Sequence, residues 1–79
     1  LDGWLPRDIL VATLGDKEFM RRALAACFAG KSDDAKLREL AKKALEDKHP
    51  MVRLRAAQGL LAAKTPDKAA IPALIELLK

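Results

Sequence analysis

The stretch from Asp47 to Lys79, DKHPMVRLRAAQGLLAAKTPDKAAIPALIELLK, constrains the fold more than any other part of the chain. It reads as a helix, a turn containing Thr65 and Pro66, and a second helix returning along the first. At about 100° per residue the first helix, over 50–63, has a broad apolar arc. Gly59, Val52, Ala63, Ala56 and Leu60 fill one part of it, and Ala57, Leu61 and Leu54 the other. Arg53 falls between these groups, where a solvated cation is not expected. One partner helix cannot cover so wide an arc, so the pair must lean on another pair. The second helix, over 67–78, is predicted to bury Leu74, Leu78, Ile71 and Ile75, with Leu77 to one side. Pro72 is tolerated there if the helix begins near Ala69, because the missing N–H then falls in the first turn.

Upstream, weaker versions of the same unit can be read. Leu1–Leu5 is a lead-in with Trp4 as an apolar anchor, and Pro6 suits the first position of a helix over 6–14 that turns Ile9, Leu10 and Leu14 inward. Gly15 stops it and Asp16 caps the next helix. That helix, over 17–29, carries Ala26, Phe19, Ala23, Cys27, Met20, Leu24 and Phe28 on one arc of about 200°, wide enough to demand neighbours on two sides. A helix over 34–46 has a narrower stripe of Leu40, Ala44, Leu37, Ala41 and Leu45, with Glu39 placed to pair with Lys43 on its solvated side. His49 stands at the cap position before Pro50.

A shift of 33 residues superposes Phe19, Ala23, Leu24, Cys27 and Phe28 on Val52, Ala56, Ala57, Leu60 and Leu61; one further residue brings Leu37, Leu40, Ala41 and Ala44 onto Ile71, Leu74, Ile75 and Leu78. A rival shift of 31 aligns Asp16 and Arg22 with Asp47 and Arg53 but sets Arg21 on Val52, so the apolar arc favours 33. Broad helices alternating with narrow ones at this period predict an all-α superhelix of stacked helical pairs. It has about five helices, two full pairs and a leading helix, in one domain over 1–79 with units near 1–15 (partial), 16–46 and 47–79. Seventy-nine residues, 33% of them charged, with only Trp4, Phe19 and Phe28 as aromatics, agree with an Ala/Leu-rich helical domain. Starting at Leu1, the chain reads as a piece of a longer protein. One cysteine fits a reducing compartment and weakly favours the cytoplasm. No apolar run is long enough to span a membrane, and a net charge of +4 points to solubility more than to nucleic acid.

The pattern Asp47-x-x-Pro50-x-Val52-Arg53-x-x-Ala56-Ala57-x-x-Leu60, followed by Ala70-Ile71-Pro72-Ala73-Leu74-Ile75, resembles a HEAT repeat of the bacterial phycobilisome-lyase-like type. The match is good over 47–79, fair over 16–46 and poor before that. The resemblance implies an α-solenoid and a turn acid followed six residues later by an arginine, joined in a polar ladder between units. Asp47 and Arg53 have that spacing. Under the 33-residue shift the same places in the first unit are Leu14 and Met20, so the ladder is expected to stop there. The resemblance further implies that second helices line the inner face, making Glu39, Lys42, Lys43, Ala73 and Glu76 the candidate binding surface.

Chemistry is thinly represented. His49 is the sole histidine and is read as a capping residue with its ring in solvent; Cys27 is read as a small core residue. Ser32 and Thr65 recur at equivalent turns as helix caps, and Glu39, Glu46 and Glu76 lie on solvated faces beside cations. No catalytic, cofactor-binding or metal-binding residue is assigned. The basic residues Arg21, Arg22, Arg38, Lys42, Lys43 and Arg55 divide between two faces, which makes a poor phosphate groove. The leading expectation is a non-catalytic protein-interaction scaffold within a larger bacterial protein, its partner unidentified, able also to self-associate through the C-terminal helix. A nucleic-acid-binding module and an accessory part of a lyase-type enzyme are the alternatives.

Overall fold

A computed structural model describes residues 7–78, which form five helices: α1 (Arg7–Leu14), α2 (Phe19–Lys31), α3 (Ala35–Ala44), α4 (Pro50–Ala62) and α5 (Ala70–Leu78). The lead-in with Trp4, and Pro6 as a helix start, lie outside the described residues. Helix α2 packs most extensively on α4; α2 also packs on α3, α4 on α5 and on α3, and α1 on α2 and α3. No substantial contact joins α1 to α5, so the stack is open and not a closed bundle. Its shortest dimension, 18 Å, is close to two helix diameters, as expected of two layers. One layer holds α2 and α4, the other α1, α3 and α5.

Local chemistry sets the helix ends. Asp34 caps α3, its carboxylate accepting from the N–H groups of Lys36 and Leu37 at 2.8 and 3.2 Å. Asp67 accepts from Ala69 N–H at 2.9 Å just ahead of α5. Asp16 does not cap α2 directly; Glu18 holds that position without a side-chain bond, while Asp16 Oδ1 accepts from Glu18 N–H at 2.8 Å. Thr65 is not a cap either, since its Oγ1 is taken by Arg38 at 2.6 Å. Glu39 meets Lys42 at 3.6 Å and not Lys43.

His49 does cap α4, with Nδ1 accepting from Met51 N–H at 3.1 Å, but its ring is not in solvent. It stacks on Phe19 of α2, with centroids 3.7 Å apart and planes 9° from parallel. One residue therefore both starts α4 and ties it to α2. His49→Ala should cost about 1.5–2 kcal/mol, from a lost cap and a lost stacked pair. Thermal melts of the two chains would check this; an unchanged midpoint would show that neither contact holds α4.

The rotation of α2 departs from the apolar arc. Met20 and Leu24 are 69% and 60% exposed, whereas Arg22, Ala25 and Ala29 are buried. Arg22 turns inward because every polar atom on it finds a partner, as described below; apolar periodicity alone excludes a cation from that position. The structural period of the first helices is consequently 31 residues, Phe19–Lys31 matching Pro50–Ala62, and not 33. Ile9 of α1 is also exposed, leaving Leu10 buried and Leu14 half-buried.

Helix α5 is likewise turned from its expected orientation. Ala70 is buried and Leu74 and Leu77 half-buried, while Ile71, Ile75 and Leu78 are 46%, 53% and 87% exposed. Its surface is apolar nearly all round, so periodicity cannot choose a side. The preceding turn chooses it: Asp67 N–H reaches back to Leu60 O at 3.1 Å, and Asp67 O accepts from Ala70 N–H at 3.2 Å.

Two core clusters result. Leu10, Ala25, Ala29, Leu37, Ala41, Ala57, Leu60 and Ala70 form the one between layers; Ala23, Ala26, Val52 and Ala56 form the one between α2 and α4. Small side chains dominate because the two first helices nearly touch. A Cβ on Gly30 would lie 2.6 Å from Leu60 N, and one on Gly59 would lie 2.9 Å from the Cα and carbonyl carbon of Cys27. Cys27 is half-buried and takes part through its backbone at this crossing.

Candidate functional site

Two sets of polar bonds run from unit to unit and fix the stack. In the first, Arg22 reaches across to the turn before α4. Its Nε and Nη2 donate to Asp47 Oδ2 and Oδ1 at 2.9 and 3.2 Å, and its Nη1 donates to the carbonyls of Asp16 and Lys17 at 2.9 and 3.0 Å. Asp47 Oδ1 also accepts from His49 N–H at 2.8 Å. Burial of Asp47 would raise its pKa, but the bonds from Arg22 and His49, with the charges of Arg22 and Lys48, outweigh that and hold it below the ordinary value. No buried side-chain nitrogen or oxygen among the described residues lacks a partner.

The pairing differs from the one expected between Asp47 and Arg53. Arg53 Nη1 donates to the backbone carbonyl of Asp47 at 2.7 Å, and the carboxylate goes to Arg22. Arg22 and Arg53 make the same bond, each to the carbonyl six residues before it, which places them at equivalent positions 31 residues apart. The first unit thus retains its arginine and its acid, Asp16, and the ladder does not stop at Leu14 and Met20. A signal for this was present in the sequence: the 31-residue shift aligned both acids and both arginines.

The second set joins turns in the other layer. Arg7 Nε lies 3.5 Å from Asp34 Oδ2, and Lys42 Nζ lies 3.0 Å from Asp67 Oδ2. Arg38 donates to Thr65 Oγ1 and to the Thr65 carbonyl. The bond to Asp67 raises the pKa of Lys42, and the Ala69 N–H and Lys42 lower that of Asp67. The acids that start α3 and α5 are therefore each met by a cation from the preceding helix of the same layer, a pattern the sequence reading missed.

These bonds redistribute the candidate surface. Glu39, Lys43 and Glu76 are exposed and Ala73 is half-buried, but Lys42 is committed to Asp67 and Glu39. Arg22, Arg38 and Arg21, which faces Asp16 at 3.5 Å, are likewise committed within the chain. What the layer of α1 and α3 does offer is an open cleft of 540 Å³, lined by Arg7, Asp8, Val11, Ala12, Lys36 and Leu40. Val11, Ala12 and Leu40 give it an apolar lining, and Arg7, Asp8 and Lys36 a charged one. Neither a nucleophile nor a histidine lines this cleft, and no group of three metal-ligating side chains occurs among the described residues.

A model of the HEAT repeats family matches residues 7–79. The chain belongs to the HEAT repeat family. The match spans all five helices, including α1, where the sequence pattern was poorest. No curated protein and no solved structure matched the chain. HEAT repeats are commonly protein-interaction scaffolds, generally of a non-catalytic type. No helix among the described residues is long and apolar enough to cross a membrane.

Proposed function

We propose that this HEAT-repeat chain is a non-catalytic protein-interaction module that receives a segment of a partner protein in the cleft between α1 and α3. The observation carrying this reading is the cleft itself, with an apolar lining beside charges of both signs. Such a lining suits a peptide or helix with one or two aliphatic anchors and mixed charges, the usual composition of a non-obligate protein interface. The Arg7–Asp34 ion pair ties α1 to the cap of α3 beside it, and a wall held before a partner arrives lowers the ordering cost of binding.

The nucleic-acid reading is weaker on the same observations. Arg21, Arg22, Arg38 and Lys42 are engaged with acids or carbonyls inside the chain, so fewer cations remain to displace counterions from a phosphate backbone than composition suggests.

The test is affinity capture from extracts of the source organism with the wild-type chain and with Val11→Asp, whose charge falls in the apolar lining of the cleft. Val11 is exposed, so the variant should fold and give the same circular dichroism spectrum. It should lose the captured protein, with affinity falling tenfold or more. Retention of the same protein by Val11→Asp would move the site elsewhere. Tight binding of duplex DNA that weakens steeply between low and moderate salt would replace the proposal by the nucleic-acid reading.

A further inference from the structure

We propose that the outer face of the α2–α4 layer is a second protein-docking surface, separate from the cleft in the other layer. Its occupant is an acidic, extended segment of a partner protein with aliphatic side chains among its carboxylates. Charge is divided unequally between the layers. Segments 15–32 and 47–64, which hold α2 and α4 with their turns, carry eight cations against three acids. The other described segments, which hold α1, α3 and α5, carry six cations against seven acids. The net charge of +4 is therefore concentrated on one layer. Arg22 is matched there by Asp47, and Arg21 by Asp16. Among the described residues no carboxylate lies within ion-pair distance of Lys17, Lys31, Lys48, Arg55 or Lys64, all of them exposed.

The face that these cations surround is partly apolar and points away from the core. At about 100° per residue, Met20, Leu24, Cys27 and Lys31 fall within about 60° of one another on α2. Their counterparts 31 residues on, Met51, Arg55, Gln58 and Ala62, do the same on α4. Ala29 and Leu60, on the opposite side of the two helices, have no exposed surface and sit in the core between layers. Met20, Leu24 and Met51 are 69%, 60% and 40% exposed. Helical pairs added at either end of the stack would lengthen this face without covering it.

Spacing sets the form of the occupant. Packed helices lie roughly 8–10 Å apart, so the step from Lys17 to Lys48, and from Met20 to Met51, repeats at that distance across the layer. A left-handed extended chain returns its side chains to one face every three residues, roughly 9 Å along. Carboxylates at that interval meet Lys17 and Lys48 in turn. Aliphatic neighbours then reach Met20 and Met51, whose flexible thioethers adapt to them. A phosphate backbone would leave those apolar side chains without a partner. No aromatic ring is free to stack on bases, since Phe19 lies on His49 and Phe28 packs against the core. A lipid surface calls for bulkier apolar groups than two methionines and one leucine.

The probe is a synthetic peptide of Glu-Leu-Pro triplets, in which proline favours the extended form, titrated into the isotope-labelled intact chain. Amide shifts should centre on Lys17, Met20, Lys48 and Met51. A peptide with Gln in place of Glu should bind at least tenfold more weakly, and one with Ser in place of Leu at least threefold. In the chain, Met20→Glu and Lys48→Gln, both at exposed positions, should each weaken binding at least threefold. Lys68→Gln, which removes the same charge from the other layer, should leave binding unchanged. The proposal is overturned if no shifts appear at millimolar peptide, if they fall in the α1–α3 cleft, or if either altered peptide binds as well as the first. It is equally overturned if Lys68→Gln acts as strongly as Lys48→Gln, because net charge alone would then account for binding. Tighter binding of duplex DNA or of phosphatidylserine vesicles than of the peptide, through these same residues, would replace the partner protein by that anion. The peptide substitutions leave the chain unaltered, so a folding defect in a variant cannot mask the result.

Discussion

Gly59→Ala should destabilise the chain by about 2 kcal/mol, although alanine is the better helix former. In an ordinary helical position the substitution gains up to about 1 kcal/mol. Here the new methyl carbon would stand 2.9 Å from both Cα and the carbonyl carbon of Cys27, which are backbone atoms that no rotamer change can move aside. Helices α2 and α4 must separate, and the small-residue cluster of Ala23, Ala26, Val52 and Ala56 loses contact along its length. Overpacking of this kind costs about 1–3 kcal/mol or more, and the rigidity of both neighbours places Gly59 above the top of that range before the propensity gain is subtracted. For a domain of this size the loss corresponds to a fall in Tm of roughly 8–16 °C. Gly59→Val should leave no folded population at physiological temperature, since the whole domain is stabilised by only about 4–12 kcal/mol. Calorimetry on Gly59→Ala beside Gln58→Ala, an exposed neighbour expected within about 0.5 kcal/mol of wild type, would decide it. Equal melting of the two variants would mean that α2 and α4 are not in backbone contact.

Asp47→Ala should be the most damaging loss of a polar group, about 3 kcal/mol. It strands the Arg22 guanidinium at 9% exposure and removes the acceptor for His49 N–H, on which the α4 cap depends. Breaking a buried pair by removing one partner typically costs about 3–5 kcal/mol. The low end applies because Arg22 keeps its bonds to the Asp16 and Lys17 carbonyls. Asp47→Asn, which still accepts from His49 N–H, should lose only about half as much. A double-mutant cycle with Arg22→Met should return a coupling of about 1.5–3 kcal/mol; a coupling near zero would assign the damage to the cap alone. The same pair predicts acid sensitivity. Because the carboxyl of folded Asp47 sits below its ordinary value of 3.8, its contribution is fully present above that value and disappears as pH falls through the folded one. Urea midpoints should thus hold steady from pH 7 to about 5 and drop below about 4, and the Asp47→Ala profile should be flatter in that lower window.

Much of the architecture was legible because it depends on quantities a sequence carries directly. Arcs too wide for one partner forced a stack, and Gly15 and Pro50 marked where helices end and begin. The spacing of Asp47 and Arg53 was legible as a pattern, but its meaning was not. Both residues read as members of a ladder between units; the carboxylate does cross to the preceding unit, to Arg22, while Arg53 takes the Asp47 backbone carbonyl. The preference for a 33-residue period hid this, because it treated Arg21 opposite Val52 as a fault and Leu24 opposite Ala57 as a match. In the fold Leu24 is exposed, and Arg22 is buried with each of its three nitrogens bonded. Within the candidate surface, Lys42 is bound to Asp67 from a segment 25 residues later, a contact that helix periodicity does not reveal.

Composition and periodicity by themselves determined that the chain is all-helical, that it comprises paired helices, and that the pairs must stack, since apolar area and its angular spread are local properties. Only the tertiary structure decided how far each helix is rotated, which acid meets which arginine, and which face of α5 packs on α4. Those choices turn on bonds between residues distant in sequence, such as Arg22 with Asp47, and on backbone approach at Gly30 and Gly59, where fit depends on the partner helix being present.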